Sequence, residues 1–70
     1  MDMLKSRINE VLNERGLKQV WVAKQMGINQ TVLSRWANNR GKPSVDRLFI
    51  LAKVIGCKVD DLYVWMDEKK

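Results

Sequence analysis

Residues 19–38 read Gln19-Val20-Trp21-Val22-Ala23-Lys24-Gln25-Met26-Gly27-Ile28-Asn29-Gln30-Thr31-Val32-Leu33-Ser34-Arg35-Trp36-Ala37-Asn38. Two short helical periods meet here at a glycine. Val22, Ala23 and Met26 share one face of the first, and Leu33 and Trp36 share one face of the second. Gly27 accepts the positive φ that begins a tight turn. Ile28 is placed to fill the core beneath that turn, and Asn29 is a good N-cap for the helix that follows. Ala23 is small enough to let the second helix come close. Together these residues meet the demands of two helices packed at a steep angle through a three- to four-residue turn. Trp36 belongs to the apolar half and reads as a core residue, not as a platform for stacking bases.

Outward from this unit the pattern stays helical. Leu4, Ile8, Val11 and Leu12 recur at helical spacing and Gly16 stops them, which predicts a first helix over roughly Met3–Arg15. Leu17 opens the second period. Asn38 to Pro43 is loop composition. Ser44 caps a fourth helix, with Asp46 favourable near its positive end. Leu48, Leu51, Ala52 and Ile55 give that helix a core face, and Gly56 ends it. Asp60 to about Asp67 reads as a short fifth helix with Leu62 buried. No segment shows sustained period-two alternation, and there is no repeat or low-complexity tract. The expected fold class is all-α: one domain over residues 1–70, a compact five-helix bundle with its core at about 4–66 and a short charged tail at 67–70.

Composition narrows the function. The chain has 70 residues, with 13 Lys+Arg, 8 Asp+Glu, no His and a net charge of +5. That length is near the limit at which one hydrophobic core suffices. No apolar run approaches the length of a membrane span, no signal peptide is present, and one cysteine cannot make an internal disulfide. Without histidine, the usual zinc sites and imidazole acid–base chemistry drop out. No metal, cofactor or small-molecule ligand is expected. The absence of a Cys pair or a phosphate-cradling glycine loop speaks against an enzyme. The positive charge is concentrated: between Arg15 and Val45 there are six basic residues and no acidic one. Such a segment is the electrostatic footprint of a polyanion-binding surface.

The sequence resembles the Cro/C1-type (XRE-like) helix–turn–helix proteins, a group that includes many phage repressors. The resemblance runs from Gly16-Leu17-Lys18-Gln19 through Ala23, Gly27-Ile28-Asn29, Leu33-Ser34-Arg35-Trp36 and Pro43-Ser44 to Ile55-Gly56 and Asp61-Leu62. It implies the lambda-repressor-like bundle, with the helix–turn–helix formed by the second and third helices. It also implies that the third helix enters the major groove of double-stranded DNA. The positions that would meet bases are Asn29, Gln30, Thr31, Ser34 and Arg35. Their chemistry agrees, since Gln pairs bidentately with adenine, Arg with guanine, and a Thr methyl can touch a thymine methyl. Lys18, Gln19, Asn38, Arg40, Lys42 and Ser44 match phosphate-contacting positions, and Gln19 also matches one that braces the recognition helix.

Three departures stand out. Many relatives pair an Arg in the first helix with a Glu after the recognition helix; the corresponding residues here are Leu12 and Ala37, so both charges are absent together. Cys57 sits where a small apolar residue is usual and reads as buried filler. Val20 and Trp21 occupy positions that are usually charged; Trp21 is expected to fold over the first helix and Lys24 as a peripheral cluster, the alternative being a partner surface. Phe49, Ile50, Val54, Tyr63, Trp65 and Met66 make the C-terminal half unusually apolar and form a candidate dimer surface. The resemblance thus implies a cytoplasmic transcriptional regulator, of the repressor kind, binding a palindromic operator as a homodimer. The alternative is a protein-interaction module, such as the antitoxin of a toxin–antitoxin pair, with a protein partner held at Trp21 or at the surface of the fourth and fifth helices.

Overall fold

Four helices stop where the chain supplies a residue suited to a left-handed backbone. The computed structural model describes residues 3–66, in the order β1 (Met3–Ser6), α1 (Ile8–Arg15), α2 (Gln19–Met26), α3 (Gln30–Ala37), α4 (Val45–Ile55), α5 (Val59–Leu62) and β2 (Tyr63–Met66). Gly16, Gly27 and Gly56, with φ of 67°, 71° and 88°, follow α1, α2 and α4. After α3 the same task falls to Asn39, with φ 61°. At the N-terminal ends, Asn29 Oδ1 accepts the Thr31 N–H at 3.1 Å and Ser44 Oγ accepts the Arg47 N–H at 3.3 Å. Both caps are the ones expected from the sequence.

The helices enclose one core. Ile8, Val11, Leu12, Val22, Ala23, Leu33, Trp36, Ala37, Leu51, Ala52, Ile55 and Leu62 are buried together, and Leu17, Met26, Ile28 and Leu48 pack against them. Ala23 lies buried on α2, which packs against both α3 and α4. Leu12 and Ala37 are both inside this cluster. Two apolar groups there avoid the desolvation that a buried ion pair must overcome. Cys57 is only half-buried at the edge of the core. Burial pushes its thiol pKa up, although Arg15 pulls against the shift.

The chain ends correct the sequence reading. Residues 3–6 are not the first turn of a helix, and residues 63–66 do not continue a fifth one. Met3–Ser6 and Tyr63–Met66 instead form a two-stranded antiparallel sheet, with Leu4 opposite Trp65 and Ser6 opposite Tyr63. The Leu4–Ile8 spacing imitates a helical period, but Leu4 is half-buried on a strand. Tyr63-Val64-Trp65 is a run of aromatic and β-branched residues that suits a pleated surface. Four-residue strands are too short to show alternation, and their pairing joins opposite ends of the chain. Arg7 N–H donates to the Leu62 carbonyl at 2.8 Å and continues the attachment. The buried Ser6 turns the strand into α1 by accepting the Ile8 N–H on its hydroxyl at 3.2 Å. The sheet is an addition to the all-helical plan and leaves the five helices in place. The charged tail 67–70 lies outside the described residues.

Candidate nucleic-acid interface

The α2–turn–α3 unit is built from its apolar half outward. Leu33, Trp36 and Ala37 lock α3 into the core. With that face committed, the helical period leaves Thr31 and Arg35 facing outward, with Gln30 and Ser34 beside them. Asn29, Gln30, Thr31 and Arg35 are exposed, and Ser34 is partly so. The five residues expected to meet bases therefore share one accessible face. Part of their hydrogen-bonding capacity is already in use. The Asn29 oxygen caps the helix, so its NH₂ group is what remains for a ligand. The Ser34 hydroxyl accepts a long 3.4 Å bond from the Asn38 carboxamide.

The residues expected at phosphates lie at the start of α2 and between α3 and α4. Lys18, Asn38, Arg40, Lys42 and Ser44 are all exposed, and Gln19 is half-buried. Gln19 Nε2 donates to Asn9 Oδ1 at 2.7 Å, so its side chain is tied to α1 rather than to the recognition helix. Lys18 precedes α2 and supplies no side-chain cap to its first amides. Ser44 accepts through its oxygen and keeps its hydroxyl proton to donate. Among the described residues the ion pair is Arg7–Glu14 at 3.6 Å, on α1. The cations around α3 have no carboxylate partner among those residues.

Two residues on this side were not singled out from the sequence. Val32 is 36% exposed on α3. With Arg35, Trp36, Gly41 and Lys42 it lines a notch of about 240 Å³. An exposed Val among polar neighbours on α3 is the available signal. Asn39 was read only as loop composition. It is the left-handed residue after α3, and its carboxamide oxygen accepts the Ser6 N–H at 2.8 Å across 33 positions. No local pattern could have revealed that partner.

The helix-turn-helix family matches residues 8–62, from the start of α1 to the end of α5. The chain belongs to the helix-turn-helix family. Its members share the two-helix unit described above, and the match spans every helix around it. An HTH-type transcriptional regulator of Archaeoglobus fulgidus, itself uncharacterized, is 24% identical over 66 residues, covering 94% of each chain. A crystal structure of a Bacteroides fragilis protein to which DNA binding has been ascribed superposes with a TM-score of 0.83 at 34% identity. It covers 89% of this chain and 100% of its own. In this helix-turn-helix protein, no helix among the described residues is long and apolar enough to cross a membrane.

The apolar surface expected around α4 and β2 is partly accessible. Phe49, Ile50, Trp65 and Met66 are exposed, Phe49 by 60% and Trp65 by 69%. Val54 and Tyr63 are half-buried, each packed in part against the core. The Tyr63 hydroxyl is buried beside Ser6 with no well-formed hydrogen bond among the described residues. Burial raises its pKa, and Ser6 offsets the rise in part. Two depressions open on this side. One of about 470 Å³ is lined by Leu4, Leu48, Val59, Tyr63, Val64 and Trp65 among others, and one of about 610 Å³ by Phe49, Ile50 and Cys57 among others. They adjoin at Val59 and Asp60.

Proposed function

We propose that this protein is a sequence-specific transcriptional regulator that binds double-stranded DNA with α3 in the major groove. The observation that carries this reading is the exposed polar face of α3, set in a segment with six basic residues and no acidic one. Gln30, Thr31, Ser34, Arg35 and the Asn29 amide supply the donors, acceptors and methyl group that read base edges. Val32 adds an apolar contact of the kind a thymine methyl takes. Lys18, Arg40 and Lys42, with Gln19, Asn38 and the Ser44 hydroxyl, hold the phosphates on either side. The regulatory part of the reading is supported by the Archaeoglobus relative.

The protein acts as a homodimer on a palindromic operator and represses by occupying it in the cytoplasm. Support for the dimer comes from the apolar side chains exposed on α4 and β2, among them Phe49, Ile50 and Trp65. Two-fold symmetry sets half-sites about 34 Å apart. Selection of bound duplexes from a random pool tests both parts at once. A two-fold symmetric consensus is the expected result. A single unrepeated half-site removes the dimer, and no enrichment overturns the reading.

Arg35→Ala is expected to weaken binding to the selected site by about 1–3 kcal/mol and to relax preference at one base pair. Lys42→Ala should weaken all sequences alike, since phosphate contacts carry no sequence information. Competition titrations against single-base variants of the site separate the two. An unchanged preference in the Arg35→Ala protein would remove that residue from base reading.

A second reading is favoured by Val20 and Trp21, which are 55% and 45% exposed on the outer side of α2. There the chain would serve as an interaction module, for example an antitoxin, whose partner covers Trp21. It predicts tight protein capture with little DNA sequence preference.

A further inference from the structure

Three helices here hand over to a glycine, but α3 hands over to Asn39. The backbone requirement is the same in each case. After α3, the Asn39 N–H donates to the Trp36 carbonyl at 3.2 Å and the Arg40 N–H to the Arg35 carbonyl at 2.8 Å. This is the paired closure that forms around a left-handed residue. Glycine would satisfy it with less strain. What glycine lacks is the carboxamide, and at Asn39 that group has a specific partner, the Ser6 N–H at 2.8 Å.

Ser6 is a firm anchor. It is 3% exposed, its hydroxyl accepts the first amide of α1, and it pairs with Tyr63 across the sheet. The loop on the other side of the bond carries Asn38, Arg40 and Lys42, and Gly41 within it has no side chain to hold it in place. We propose that Asn39 is a positioning residue for DNA binding: its carboxamide latches the α3–α4 loop to the terminal sheet, so the phosphate-binding groups are ordered before DNA arrives. The proposal rests on the DNA-binding reading above. Ordering a loop in advance removes an entropic penalty from association. The fixed loop contacts no bases, so the gain applies equally to every sequence.

The test begins without DNA. In the free protein, hydrogen exchange at the Ser6 amide should be slow for wild type and for Asn39→Asp, whose carboxylate keeps the acceptor. It should be faster for Asn39→Gly and Asn39→Ala. Backbone order at residues 40–42 from NMR relaxation should fall in the same two variants. Asn39→Gly also relieves the left-handed strain, so its thermal midpoint should stay near that of wild type while DNA affinity drops. The expected loss is about tenfold, the equivalent of ordering roughly one more residue on binding. It should be the same on the selected operator and on unrelated duplex. Wild-type affinity in Asn39→Gly, a loss confined to the operator, or unchanged Ser6 exchange overturns the latch. A wild-type protein that binds no duplex overturns the functional reading itself, and the free-protein exchange data then show whether the bond forms.

Discussion

Leu33→Ala is expected to destabilise the protein by about 2–5 kcal/mol, because it removes a fully buried side chain and leaves a cavity that the surrounding helices cannot close. Leu33 is 0% exposed and sits on α3, among Val22, Trp36 and Leu51 in the core. A domain of this length holds about 4–10 kcal/mol in total, so the substitution consumes a large share of it. Urea unfolding is the measurement. With a slope of about 1 kcal/mol/M for so small a protein, the midpoint should fall by about 2 M or more at unchanged slope. A shift of a few tenths molar would mean that α3 does not rest on Leu33. The substitution also bears on function, since the polar face is held outward only because the opposite face is locked in.

Raising the salt concentration from 50 to 200 mM should weaken DNA binding about a thousandfold. In the proposed dimer, Lys18, Arg40 and Lys42 of both protomers would neutralise about six phosphates, each releasing condensed counterions with a slope near 0.9. Anisotropy titrations on the selected duplex give this slope directly. A slope of about 1 would show that the cations around α3 do not meet the backbone. Over pH 6–8 the same titrations should stay flat. The chain has no His. The groups with shifted pKa values, Cys57 and Tyr63, are both pushed upward by burial. Each therefore stays neutral in this range, and the stability tied to its neutral form is lost only as pH rises past the ordinary thiol or phenol values. Salt, not pH, is therefore expected to be the main electrostatic control on binding.

Much of the helical plan was legible because its signals are local. Gly16, Gly27 and Gly56 marked helix ends through a backbone conformation that glycine adopts freely. Asn29 and Ser44 marked starts because their oxygens reach an amide two or three residues on. The polar face of α3 followed from the period once Leu33 and Trp36 were assigned inward. The terminal sheet escaped notice because four residues cannot display a period, and the partners of Leu4 and Ser6 lie at the far end of the chain. The same limit hid Gln19's bond to Asn9 and Asn39's bond to Ser6.

The sequence by itself determined the helix–turn–helix, the caps around it and the acid-free basic segment. Each of these depends on residues within one or two turns of one another, where helical geometry fixes the neighbours. The tertiary structure alone decided that residues 3–6 and 63–66 pair as strands and that the loop after α3 is fastened to Ser6. Those are contacts between residues distant in sequence. Only the closed core brings them within hydrogen-bonding or packing distance.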